Sequence, residues 1–133
     1  MAKRSAFITS KPWGTEEVWA TDHHSVGKIL TISGSHRLSR KYHRIKRHNI
    51  RILEGTLTLE VGPRKSGEAV TKVTLSPGDC YFLGANIIHR FCAESGDVIL
   101  LELSDAGQND SVRLEDDYRR ITEIPDKVQQ SDK

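Results

Sequence analysis

A chain of 133 residues that is 36% hydrophobic, with a formal net charge of +2, carries enough apolar mass for one modest core, so one domain spanning 1–133 is expected. Two cysteines, Cys80 and Cys92, are too few for a disulfide scaffold and match no zinc-ribbon spacing; both are expected to be reduced and at least partly buried. No apolar run approaches the roughly 20 residues of a membrane span. The start Met1-Ala2-Lys3-Arg4-Ser5 is not followed by a signal-peptide core, which leaves a cytoplasmic protein with no membrane partner as the simplest expectation.

In chain order, residues 1–6 are polar and expected to fray. From Glu16 to Leu103 short segments of strand length follow one another, separated by glycine, proline, asparagine and aspartate, with little helical periodicity. Strands are expected at 17–21, 28–33, 38–43, 48–53, 56–61, 70–75, 80–83, 87–92 and 98–103. Glu54-Gly55 and Pro77-Gly78-Asp79 supply tight turns, and 62–68 reads as an exposed loop. The charged stretch 111–124 is expected to form a final arm or short helix, packed through Val112, Leu114, Tyr118 and Ile121, and 127–133 is expected to fray. The pattern as a whole predicts an all-β sandwich or barrel.

Charge is concentrated in one window. Residues 37–47 hold Arg37, Arg40, Lys41, Arg44, Lys46 and Arg47 without an acidic residue, which suits an anion site or a nucleic-acid footprint. No RNP, zinc-finger or helix-turn-helix pattern accompanies it, so a nucleic-acid partner is not expected. A solvated hairpin loop is the simplest account of Arg44, Lys46 and Arg47.

Three histidines give the strongest functional signal. His43 and His48 flank the tetrapeptide 44–47; if that is a hairpin loop, they sit opposite each other on one face of an antiparallel pair, with Cβ atoms roughly 4.5 to 5.5 Å apart. Alternation then turns Lys41 and Ile50 to the same face and Tyr42 and Asn49 to the other. His89 shares its face with Ile87 and Phe91, which marks that face as core. Neutral imidazoles are common ligands of transition metals, and three of them leave positions open for water or substrate, so His43, His48 and His89 are the expected metal ligands. A nitrogen-rich set suits zinc, iron, nickel or copper better than calcium or magnesium. His23, His24 and His36 lie in polar turns and are expected to be solvated.

The sequence resembles the cupin superfamily. Gly34, Lys41, His43, His48 and Gly55 follow the spacing of its first motif, and Gly78, Gly84, Asn86 and His89 echo its second. It is more narrowly similar to the type II mannose-6-phosphate isomerase domain, through Lys11-Pro12-Trp13-Gly14, Leu38-Ser39, Gly55-Thr56, Glu102 and the tail from Asp110 through Arg113, Asp117 and Tyr118 to Arg120. The resemblance implies a small cupin jelly roll and a ligand order of glutamine, histidine, glutamate, histidine; Lys41 stands at the glutamine's place and His48 at the glutamate's.

Three functions follow as expectations. The first is an isomerase acting on a sugar phosphate or related small polar or anionic carbonyl compound. There a metal would acidify a C–H beside a carbonyl and Lys41, if neutral, would move the proton, with Lys11 and Arg120 as anion contacts implied by the resemblance. The others are a three-histidine metal oxygenase and a non-catalytic sugar- or metal-binding module. A salt bridge from the final arginines to Asp116 or Asp117 and a solvated Lys11 are the plain alternatives for the two anion contacts. Open sheet edges, and the pairing common among small cupins, make a homodimer the expected assembly.

Overall fold

Apolar and polar residues alternate with a period of two over much of the sequence, and this pattern resolves into strands among the described residues. The computed structural model describes residues 3–63, 70–107 and 110–120. It contains β1 (Phe7–Lys11), β2 (Gly14–Thr21), β3 (Ser25–Ile32), β4 (Arg40–His43), β5 (His48–Glu54), β6 (Leu57–Pro63), β7 (Thr71–Leu75), β8 (Cys80–Leu83), β9 (Ile87–Cys92), β10 (Val98–Asp105) and β11 (Ser111–Glu115). No helix occurs among the described residues, hence none long and apolar enough to cross a membrane. The strands form two antiparallel sheets, ordered β1-β2-β3-β10-β5-β8 and β11-β4-β9-β6-β7.

The inner faces of the sheets meet over one apolar cluster that includes Leu30, Ile32, Ile50, Ile52, Leu59, Phe91, Val98 and Leu100. Along several strands the inward series changes character at the same level. On β3 it runs Ile32, Leu30, Lys28; on β5 Ile52, Ile50, His48; on β10 Val98, Leu100, Glu102; on β9 Phe91, His89. One end of the sandwich is therefore packed solid, and the other is lined with groups that can bond or ionise.

All nine expected strands are present, with bounds shifted by at most a few residues. β1 was not expected because Phe7, Ile8, Thr9 and Ser10 are all exposed, so the segment carries no alternation to read. It pairs with β2 through the tight turn at Pro12-Trp13, which drives Trp13 into the core. Gly14 is required just after that turn. Its φ is +153° and a Cβ there would lie 1.9 Å from the Thr31 carbonyl oxygen.

Three expectations are corrected. Residues 111–115 form a strand on β4 and not a helix: Val112 is buried and registers with Tyr42, while Leu114 is exposed and Tyr118 packs against the core. Ile121 and the tail 127–133 lie outside the described residues, as do Met1 and Ala2 of the expected N-terminal tail; residues 3–6 are exposed and carry no strand. Residues 44–47 are not a hairpin loop. β4 pairs with β9 and β11, and β5 with β8 and β10, so the tetrapeptide crosses from one sheet to the other. Cys80 is exposed, since it faces outward on the edge strand β8, whereas Cys92 is buried; both thiols are free.

Three of the six cations in the basic window, Arg37, Arg40 and Arg47, form ion pairs. Arg37 binds Asp117 through two hydrogen bonds of 2.8 and 3.0 Å, and Arg40 lies 3.4 Å from Glu60 and 3.6 Å from Glu115. Arg47 pairs with Asp105 at 3.0 and 3.1 Å, and Lys46 donates to the Gly107 carbonyl at 3.1 Å. Arg90, only 2% exposed, joins Glu115 and Asp117 and donates to the Leu38 carbonyl, fastening the turn after β11 to β9. Removing its charge leaves two carboxylates without a shared partner.

Gly14→Ala is expected to destabilise the fold by on the order of 2 kcal/mol, because the added methyl group meets backbone and the φ angle suits glycine. Urea denaturation followed by tryptophan fluorescence measures it, and an unchanged midpoint would contradict the tight approach of β2 to β3.

Candidate metal centre

β4 carries Lys41 and His43 on its inner face, β5 carries His48, and β9 places His89 beside Lys41 in register. Because the tetrapeptide crosses the sandwich, His43 and His48 face each other from opposite sheets and not along one ladder. Their ring centroids are 4.7 Å apart, and those of His43–His89 and His48–His89 are 5.8 and 5.1 Å apart. One nitrogen from each ring lies within 4.8 Å of the others. His48 and His89 are buried, and His43 is mostly so.

Each ring has one nitrogen engaged on the side away from the cavity. His43 Nδ1 lies 2.8 Å from Asp110 Oδ1, His48 Nδ1 lies 2.6 Å from Glu102 Oε2, and His89 Nδ1 lies 3.1 Å from the Ile87 carbonyl oxygen. These partners are acceptors, so each Nδ1 donates and the lone pair falls on Nε2. The Nε2 atoms of His48 and His89 are buried with no hydrogen-bond partner. Two orphaned, lone-pair-bearing nitrogens converging with a third ring fit a transition metal.

Asp110 serves two purposes. Besides receiving His43, its other oxygen accepts the backbone N–H groups of Ile45 and Lys46 at 2.6 and 2.8 Å, which fixes the crossing between His43 and His48. A second tie comes from the β8–β9 turn, where the Asn86 N–H donates to the His43 carbonyl at 2.7 Å. Asn86 adopts φ of 63°, the left-handed region that asparagine tolerates.

The rings open onto a cavity of about 390 Å³. Lys11, Lys28, Lys41, Lys46, Arg113 and Arg120 line it, against the carboxylates Glu16 and Glu102. Glu16 pairs with Lys28 at 3.5 Å, and Arg120 is held by Asp116 through Nε and Nη2 at 2.8 and 3.1 Å. Lys11 makes no ion pair with any described residue. All six residues singled out as site candidates in the sequence thus border one cavity: Lys41, Lys11, Arg120, His43, His48 and His89. Glu102 and Asp110 were assigned no role there. Glu102 could have been found, since it lies in phase with Val98 and Leu100 and must point inward; Asp110 sits in a connection whose geometry no periodicity encodes. His23 and His24 are exposed, and His36 is partly buried with its Nδ1 3.1 Å from the Gly34 carbonyl.

Burial, followed by the charges of Lys41 and His48, lowers the His43 pKa to about 4 against the opposing pull of Asp110. Burial likewise lowers His89 well below its ordinary value. Burial pushes Glu102 up, but the hydrogen bond from His48 and the charges of His48, Lys28 and Lys41 outweigh it and hold the carboxyl below its usual range. Below pH 6.5 the unfolded chain takes up protons that the folded rings refuse, so stability present at neutral pH is lost on acidification towards pH 4. For His43 alone the loss is on the order of 3 kcal/mol in the metal-free protein. Urea titrations at pH 7 and pH 4.5 measure it, and a flat profile would contradict the burial of neutral rings.

Comparison with known proteins places this geometry. The model of the D-lyxose isomerase family matches residues 28–132. No curated protein matches the sequence. Among solved structures, the capsular polysaccharide assembling protein CapF from Staphylococcus aureus superposes with a TM-score of 0.76 at 10% identity, over 85% of this chain and 32% of that one. KdgF from Halomonas sp. gives 0.64 at 16% identity, over 79% and 90% of the two chains. An RmlC-like cupin from Shewanella frigidimarina gives 0.66 at 14% identity, over 77% and 86%. This chain spans about a third of the length of CapF. At such identities the likeness is one of fold, the cupin double-stranded β-helix. With the family match over most of its length, the chain belongs to the D-lyxose isomerase family.

Proposed function

We propose that the chain is a metal-dependent sugar isomerase whose substrate carries an anionic group, a sugar phosphate in the manner of type II mannose-6-phosphate isomerases. The observation that carries the metal is the pair of buried, unpartnered Nε2 atoms on His48 and His89. His43, His48 and His89 would hold a divalent ion, and their nitrogen-only set favours zinc, iron, nickel or copper. Such an ion, when bound, polarises adjacent carbonyl and hydroxyl oxygens and acidifies the intervening C–H.

The chain's own residues supply the rest. Lys41 stands beside His89 and His43 on the cavity wall, where in its neutral form it takes the proton from one carbon and returns it to the next. The apolar floor of Leu30 and Phe91 limits water around that transfer. Lys11 and Arg120, which line the same cavity, bind the anionic end of the substrate. Charge supports an anionic substrate over a neutral pentose: the lining has six cationic side chains and two carboxylates, one already paired with Lys28. A second reading, a sugar- or metal-binding module without turnover, is favoured by a lysine occupying a position where the resembled isomerases carry a ligand. We also propose that the whole of 1–133 acts as one domain and that it dimerises through β1, an edge strand whose Phe7 and Ile8 are 60% and 66% exposed.

Elemental analysis of the purified protein is expected to find about one divalent transition metal per chain, and the His89→Ala variant is expected to lose it; full occupancy in that variant would remove His89 from the site. With the metal restored, D-mannose 6-phosphate is expected to be isomerised with a higher kcat/KM than D-lyxose. Lys41→Met should lower kcat by on the order of 10² to 10⁴ while leaving metal content unchanged. Binding of the phosphorylated sugar in calorimetry with no conversion under any divalent metal would select the non-catalytic reading.

A further inference from the structure

Glu102 occupies a position that the apolar phase of β10 would give to a leucine. It faces inward two residues beyond Leu100, registers with Ile50 on one side and Lys28 on the other, and is 8% exposed. A carboxylate in such a place costs several kcal/mol unless it is paired. Its hydrogen-bonding partner is His48, whose Nδ1 lies 2.6 Å from Oε2. An ionised carboxylate only accepts hydrogen bonds, so this contact permits one neutral form of the ring, with hydrogen on Nδ1 and the lone pair on Nε2.

We propose that Glu102 is the positioning residue of the metal site: it locks His48 in the Nδ1–H form, aims the Nε2 lone pair at the cavity, and places a negative charge directly behind that ring. The inference rests on the metal-site reading above. Glu102 differs in kind from the other two acceptors. His89 is held by a backbone carbonyl, which no substitution can remove, and Asp110 also carries the backbone of residues 45 and 46, so its loss would disturb the crossing itself. The contact from Glu102 to His48 is the one that can be altered at the ring alone. A glutamine there keeps the shape but can turn its amide N–H₂ towards Nδ1. The ring proton then moves to Nε2 and blocks the lone pair that the metal needs.

The test compares wild type with Glu102→Gln. In the metal-free wild-type protein, ¹⁵N chemical shifts of the His48 ring are expected to report a protonated Nδ1 and a bare Nε2, and in the variant a shift towards protonated Nε2. Competition against a chromophoric chelator is expected to show Zn²⁺ affinity falling by roughly 10- to 100-fold in the variant, and Co²⁺ absorption should show altered ligand-field bands. Circular dichroism of the metal-free variant should match wild type. Zn²⁺ binding by the variant as tight as by wild type would overturn the inference alone, whereas a wild-type protein that takes up neither Zn²⁺ nor Co²⁺ would remove the metal-site reading beneath it. Should the variant fail to fold, the wild-type spectrum decides the matter, because a bare Nδ1 on His48 in the metal-free protein would overturn the assignment.

Discussion

Three imidazoles whose centroids lie within 6 Å of one another share one buried space, and the contact behind each ring shapes everything around them. Their tautomers are secured from behind, where the Nδ1 of each ring donates to an acceptor that cannot itself donate. The lone pairs are left pointing at a shared space, and the surrounding polar architecture keeps them there: Glu102 and Asp110 as acceptors, lysines that stabilise those carboxylates, and a sheet-to-sheet crossing pinned by backbone hydrogen bonds.

Much of this was readable before any coordinates. Alternation with a period of two located nine of the strands and turned Lys41, His43, His48 and His89 inward, because side-chain direction in a strand is fixed by parity alone. Parity does not say which strand pairs with which. Residues 44–47 have the length of a hairpin loop, and a hairpin reading brought the same two histidines together through the wrong neighbour relation; the sheet-to-sheet crossing brings them together as well. β1 escaped notice because an edge strand exposed on both faces has no buried side to mark. β11 escaped because its alternation spans five residues, one of them the exposed Leu114.

The basic window shows a different limit of sequence reading. Six positive charges in eleven residues look like a surface for phosphate, yet Arg37, Arg40 and Arg47 find their carboxylates on β6, β10, β11 and the turn after it. Local charge density cannot reveal partners brought in from 20 to 80 residues away. The lysines and arginines that line the cavity are drawn from β1, β3, β4, β11, the crossing at 44–47 and the turn after β11, so no single stretch of sequence announces them.

Asp110 lies just ahead of the last strand and reaches back 64 to 67 residues to grasp His43 and the two amides after it. The entropy of closing so long a loop grows only logarithmically with its length, and the β3–β10 ladder already closes loops of 66 to 80 residues. Once that ladder stands, the clasp of Asp110 adds little further closure cost, so a segment remote in sequence can set the spacing of two histidines that sit five residues apart.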